Sequence, residues 1–117
     1  MTIERLEKGP RMTQAVIHDN VVYISGQVAF DAPWKSLKEQ AVNTLEYIDK
    51  HLKTAGTDKS KLLSASIWLT DIRAYDEFNE VWDAWLDPEN APARATVEAR
   101  LAKPEYNIEI AVIAARD

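Results

Sequence analysis

Two ionisable residues stand on segments whose other members are small or apolar. Along Ala93 to Leu101, one side of an extended chain carries Ala93, Ala95, Val97, Ala99 and Leu101; the other carries Arg94, Thr96, Glu98 and Arg100. Arg94 opens this segment just after Ala91-Pro92, where a loop delivers it rigidly. Glu109 is the only charge between Ile108 and Ala115. A carboxylate in so apolar a strand is costly unless it is paired or solvated. Two arrangements account for these charges. In one, Glu109 and Arg94, or Arg100, form an ordinary ion pair on a sheet. In the other, Arg94 grips a substrate carboxylate with two parallel hydrogen bonds beside a Glu109 that handles water.

Other chemistries are poorly supplied. The three glycines, Gly9, Gly26 and Gly56, are isolated, so there is no phosphate-cradling loop. With no cysteine, disulfides, thiolate catalysis and Cys-type metal sites are excluded. His18 falls in a turn and His51 on a helix, with no ligand spacing around either and no persuasive Ser-His-Asp set. The net charge of −5, with no lysine or arginine run, argues against a nucleic-acid surface, because a polyanion needs a basic footprint. Met1 to Pro10 is charged, and no stretch approaches the ~18 apolar residues of a membrane span. The expectation is a soluble, cytoplasmic protein with no membrane or nucleic-acid partner.

The elements that must position Arg94 and Glu109 fit one domain over residues 1–117. A hydrophobic fraction of 46% with 28% charged residues is enough for a globular core. Thr2 to Leu6 reads as a strand before the breaker Gly9-Pro10. Ala15-Val16-Ile17 and Val21 to Ile24 flank His18-Asp19-Asn20 as a hairpin. Ser36 with Glu39 is a capping pattern for a helix whose stripe is Leu37, Ala41, Leu45, Ile48 and Leu52, stopped by Gly56. Lys61 to Thr70 reads as a strand, with Leu63, Ala65, Ile67 and Leu69 on one side. Asp71 caps a second helix with the stripe Tyr75, Phe78, Trp82 and Trp85, closed by Asp87-Pro88. Strands over Ala93 to Leu101 and Asn107 to Ala115 end the chain. The fold class is α+β, with two helices laid on a largely antiparallel sheet.

That sheet is apolar on both faces. Ile108, Ile110, Val112 and Ala114 alternate with Glu109, Ala111, Ile113 and Ala115; Val22 opposes Tyr23, and Ile67 opposes Trp68. Two helices cover one face, and a solvated second face would be polar. The expectation is that other copies of the chain cover it, in a closed homo-oligomer.

Several segments together carry a resemblance. Tyr23-Ile-Ser-Gly-Gln27, Leu69-Thr-Asp-Ile72 with Tyr75 and Phe78-Asn79, Pro92-Ala-Arg-Ala-Thr-Val-Glu98 and Ile108-Glu-Ile110 occur in the order found in the RidA/YjgF family, which the chain resembles over nearly its whole length. The resemblance implies a domain like trimeric chorismate mutase, with one sheet face buried in a homotrimer and pockets between subunits. It implies hydrolysis of short 2-imino acids, of the 2-iminobutanoate and 2-iminopropanoate type, to 2-keto acids and ammonia, with no cofactor or metal. Such imines are released from threonine or serine by pyridoxal phosphate enzymes. Arg94 matches the family's essential arginine, Glu109 its water-handling glutamate, Ser25 its pocket serine and Asn79 its helix asparagine. Thr96 shares Arg94's side of the strand and stands where relatives often have cysteine. Met12 stands where the RidA branch commonly has a pocket tyrosine, which implies a more apolar wall that accepts larger apolar imines. The rival reading is a non-catalytic trimer of the same family, whose Arg94 pocket senses a keto acid or amino acid. A ribonuclease role fits poorly with the acidic charge.

Overall fold

Alternating β-rich stretches and two amphipathic stripes give six strands and two helices in this computed structural model, which describes residues 2–117. In chain order these are β1 (Ile3–Lys8), β2 (Thr13–His18), β3 (Val21–Gln27), α1 (Leu37–Thr54), β4 (Leu62–Leu69), α2 (Tyr75–Trp85), β5 (Ala93–Glu98) and β6 (Ile108–Ala115). One sheet holds all six strands in the order β1-β2-β3-β6-β4-β5. Every pairing is antiparallel except β4 with β5. Parallel neighbours cannot be joined by a hairpin, and α2 is the crossover that joins these two.

Local chemistry sets the ends of the elements. His18 pairs with Val21, so only Asp19 and Asn20 make the hairpin turn, and Asp19 takes the left-handed conformation with φ 55° that a short polar side chain tolerates. The Ser36 hydroxyl accepts from the Glu39 N–H at the start of α1. At its end Gly56, with φ 83°, bonds back to Lys53 while Thr57 bonds to Leu52, closing the helix with two nested hydrogen bonds.

Both helices lie on one face of the sheet. Ala41, Leu45, Ile48 and Leu52 of α1, with Phe78 and Trp82 of α2, pack against Ile17, Val22, Ile24, Ile67, Ile110 and Val112. Each large side chain fully buried there contributes roughly 1.5–3 kcal/mol. His51 is buried beneath β1, with Nδ1 3.2 Å from a Glu7 oxygen; burial pushes its pKa down against the opposing pull of Glu7.

Four expectations are corrected. Asp71 caps a short three-ten turn, Ile72–Ala74, which runs into α2, so it starts the helical segment one turn early. The Ala93 strand ends at Glu98, before Leu101. Lys61 belongs to a three-ten turn that precedes β4. A bulge between Leu62 and Ser64 turns Leu63 out of the core and puts Leu62 in its place. The face away from the helices carries Tyr23, Leu63, Val97, Trp68 and Ile113, and the first three of these are 45%, 49% and 50% exposed.

Candidate functional site

Strand register decides which side chains can meet. Ala65 of β4 pairs with Arg94 on one side and with Val112 on the other. Ala65 and Val112 are buried under the helices, so Arg94 also points into the helix layer. Trp68 pairs with Val97 and with Glu109 and points to the opposite face. Arg94 and Glu109 of one chain are therefore separated by the sheet itself. An ordinary ion pair between them is ruled out, and Arg94 forms no ion pair among the described residues.

Arg94 is held by α2. Its Nη1 donates to Asn79 Oδ1 at 2.9 Å and its Nη2 to the Tyr75 hydroxyl at 2.9 Å. The guanidinium carbon lies 5.5, 5.7 and 5.4 Å from the ring centroids of Tyr75, Phe78 and Trp82. These rings fix the plane of the fork and restrict its hydration, which strengthens any charge-assisted bond it makes. A guanidinium has five N–H donors, so three are left free. Thr96, two residues on and on the same side, has a buried hydroxyl with no hydrogen-bond partner. A planar anion suits this half of the site.

Glu109 builds the other half. At the β3–β6 pairing Ile24 meets Val112 and Gln27 meets Ile110, so Ser25 and Gly26 together oppose Ala111 in a bulge. The Glu109 carboxylate lies over Gly26, where a Cβ would come 2.0 Å from Oε2, so only glycine leaves room for it. Partial burial with no compensating partner raises the Glu109 pKa above its ordinary value. Beside it opens a cavity of about 320 Å³ lined by Val28, Phe30, Leu101, Lys103 and Tyr106.

The remaining expected residues divide. Asn79 touches Arg94. Ser25 stands next to Gly26, and its hydroxyl donates to Gln14 Oε1 at 3.1 Å, an oxygen that Gln27 also binds at 2.8 Å. Met12 lies in the turn between β1 and β2, where its carbonyl accepts from the Gly9 N–H, and it is exposed. Arg94, Asn79 and Thr96 thus share one side of the sheet, while Ser25 adjoins the Gly26 over which Glu109 lies, with its hydroxyl bonded to Gln14. The sequence reading placed Tyr75 in the apolar stripe and among the residues of the resemblance, and missed its contact with Arg94. The signal was present: Tyr75 and Asn79 are four apart on one helix, and a tyrosine hydroxyl needs a polar partner. Gly26 was likewise read only as part of a motif.

The family model described as Endoribonuclease L-PSP matches residues 2–116. A RutC family protein of Haemophilus influenzae is 41% identical over 114 residues, which are 97% of this chain and 98% of that protein. The RutC family protein YoaB of Escherichia coli is 40% identical over 116 residues, covering 98% and 99%. Among solved structures, a member of the YjgF protein family from Neisseria meningitidis superposes with a TM-score of 0.95 at 39% identity, over 100% of this chain and 97% of that one.

Proposed function

The chain belongs to the Endoribonuclease L-PSP family, which its RutC and YjgF relatives share, and from that premise we propose that it hydrolyses short 2-imino acids to 2-keto acids and ammonia. The observation that carries this reading is the pair of complementary half-sites on opposite faces of the sheet. One offers an unpaired guanidinium fork for a carboxylate, the other a carboxylate of raised pKa beside a small cavity. Neither is a complete site. The active assembly is a homotrimer in which the exposed sheet face of one copy meets a neighbour, so that Arg94 of one subunit works with Glu109 of the next. Tyr23, Leu63 and Val97 on that face support such burial.

Arg94 holds the substrate carboxylate, which fixes the imine carbon in an attack position. A water adds its oxygen to that carbon while Glu109 accepts one of its protons, and the C=N electron pair moves to nitrogen, which takes a proton from solvent. As the tetrahedral species collapses, Glu109 passes its proton to the amino nitrogen, the C–N bond breaks to release ammonia, and the hydroxyl proton goes to solvent as the carbonyl forms. A carboxylate whose pKa is raised toward neutrality is the better base for this step. The imine is already electrophilic, so no covalent nucleophile is required. The family model's endoribonuclease description finds little support in a chain of net charge −5. A cytoplasmic setting, where such imines are released, completes the reading.

The test couples an amino-acid oxidase, which generates the imine, to semicarbazide, which traps what survives. The protein is expected to lower the trapped fraction catalytically. Binding of a 2-keto acid without any such effect would favour the sensing trimer instead.

A further inference from the structure

We infer that the Tyr75 hydroxyl is a second carboxylate-binding group, donating its proton to the anion that Arg94 grips; this deepens the reading of the same site and rests on it. Tyr75 opens α2, and its ring stacks near the guanidinium at 5.5 Å. Its oxygen accepts from Arg94 Nη2 at 2.9 Å. An oxygen that accepts on the guanidinium side must turn its own proton away from that cation. No acceptor for this proton exists among the described residues, and Tyr75 is 40% exposed, so the O–H is not spent on the core. It stands next to the three free N–H groups of Arg94. A carboxylate bound to those N–H groups lies within reach of the phenol and accepts a third, neutral-donor hydrogen bond.

The contact does more than add affinity. Arg94 is clamped on one side by Asn79 and on the other by Tyr75. A carboxylate that bridges guanidinium and phenol has its plane set at two points, whereas the fork alone permits sliding along its edge. Tyr75 therefore touches the ligand and is a binding residue of the site.

The experiment compares wild type with Tyr75→Phe and Arg94→Ala, using 2-oxobutanoate in calorimetry and the corresponding imine in steady-state kinetics. Phenylalanine keeps the ring against the guanidinium and removes only the hydroxyl. Tyr75→Phe is expected to weaken 2-oxobutanoate binding by about 10- to 100-fold, the range of a hydrogen bond to a charged group. KM is expected to rise by a similar factor with kcat within about twofold, the pattern of an interaction made equally in ground and transition states. The melting temperature is expected to stay unchanged. Binding that Arg94→Ala abolishes and Tyr75→Phe leaves intact would overturn the inference alone. A fall in kcat at constant KM would also overturn it, since Tyr75 would then only orient Arg94. If wild type binds no 2-oxobutanoate, the carboxylate site itself fails and the inference falls with it.

Discussion

Arg94 and Glu109 occupy opposite faces of one sheet and lie at β4 positions three residues apart, Ala65 and Trp68. That is about 10 Å along the strands, before the thickness of the sheet is added. One ligand cannot touch both within a single chain, so chemistry that uses both needs a neighbouring copy.

Assembly is the first consequence. Light scattering at micromolar concentration is expected to give three times the 13.3 kDa of the chain. A monomer there would remove the shared site and leave Tyr23, Leu63 and Val97 without a reason to be apolar.

Gly26 separates function from folding. In Gly26→Ala the new methyl meets the Glu109 carboxylate, the far end of a flexible side chain, which must swing aside. The expected result is a folded trimer that has lost about 100-fold or more in kcat, the usual worth of a positioned base. Wild-type rates from this variant would show that Glu109 does not need its place over Gly26.

Glu109 also sets a pH dependence. Its pKa is raised by burial, so kcat/KM is expected to fall as pH drops through that raised value, and Glu109→Gln should be slow and flat there. The stability sign is opposite. The folded chain holds this proton to a higher pH than the unfolded chain, so stability declines as pH rises from the ordinary value of 4.5 through the raised one. Glu109→Gln lacks this loss and should melt higher at neutral pH, with the gap closing in acid. Thermal melts across that window check it.

Substrate size follows from the cavity beside Glu109. Its volume of about 320 Å³ and its walls of Val28, Phe30, Leu101 and Tyr106 leave apolar room beyond a four-carbon imine. Leucine- and methionine-derived imines are expected to react about as fast as the short one. Rates that collapse for the larger imines would contradict this.

Much of this was legible in the chain. Alternation along Ile108 to Ala115 assigned the helix-facing residues, and the capping pattern of Ser36 with the stop at Gly56 framed α1. Periodicity could not reveal the bulges. One extra residue at Leu62–Ser64 exchanged Leu62 for Leu63, and another at Ser25–Gly26 opened the place for Glu109. Bulges come from pairing between strands distant in sequence, so a single strand carries no mark of them. The separation of Arg94 from Glu109 was hidden for the same reason. Each strand's two sides were readable, but which side faced the helices on β5 depended on its parallel register with β4. Met12, read as a pocket wall, lies in an exposed turn between β1 and β2.

The most direct test measures deamination and thermal melting together on Arg94→Lys and Arg94→Ala. Lysine keeps the charge but loses the planar fork that Tyr75, Phe78 and Trp82 hold in place. Both variants are expected to lose roughly 2–5 kcal/mol of transition-state binding, about 30-fold to several thousand-fold in kcat/KM. Both should melt near wild type as trimers, because Arg94 has no carboxylate partner to strand; Asn79 and Tyr75 can turn to water instead. A folded trimer without activity is the predicted result. Lysine or alanine variants that deaminate imines at wild-type rates would contradict the assignment of Arg94 and, with it, the proposed site.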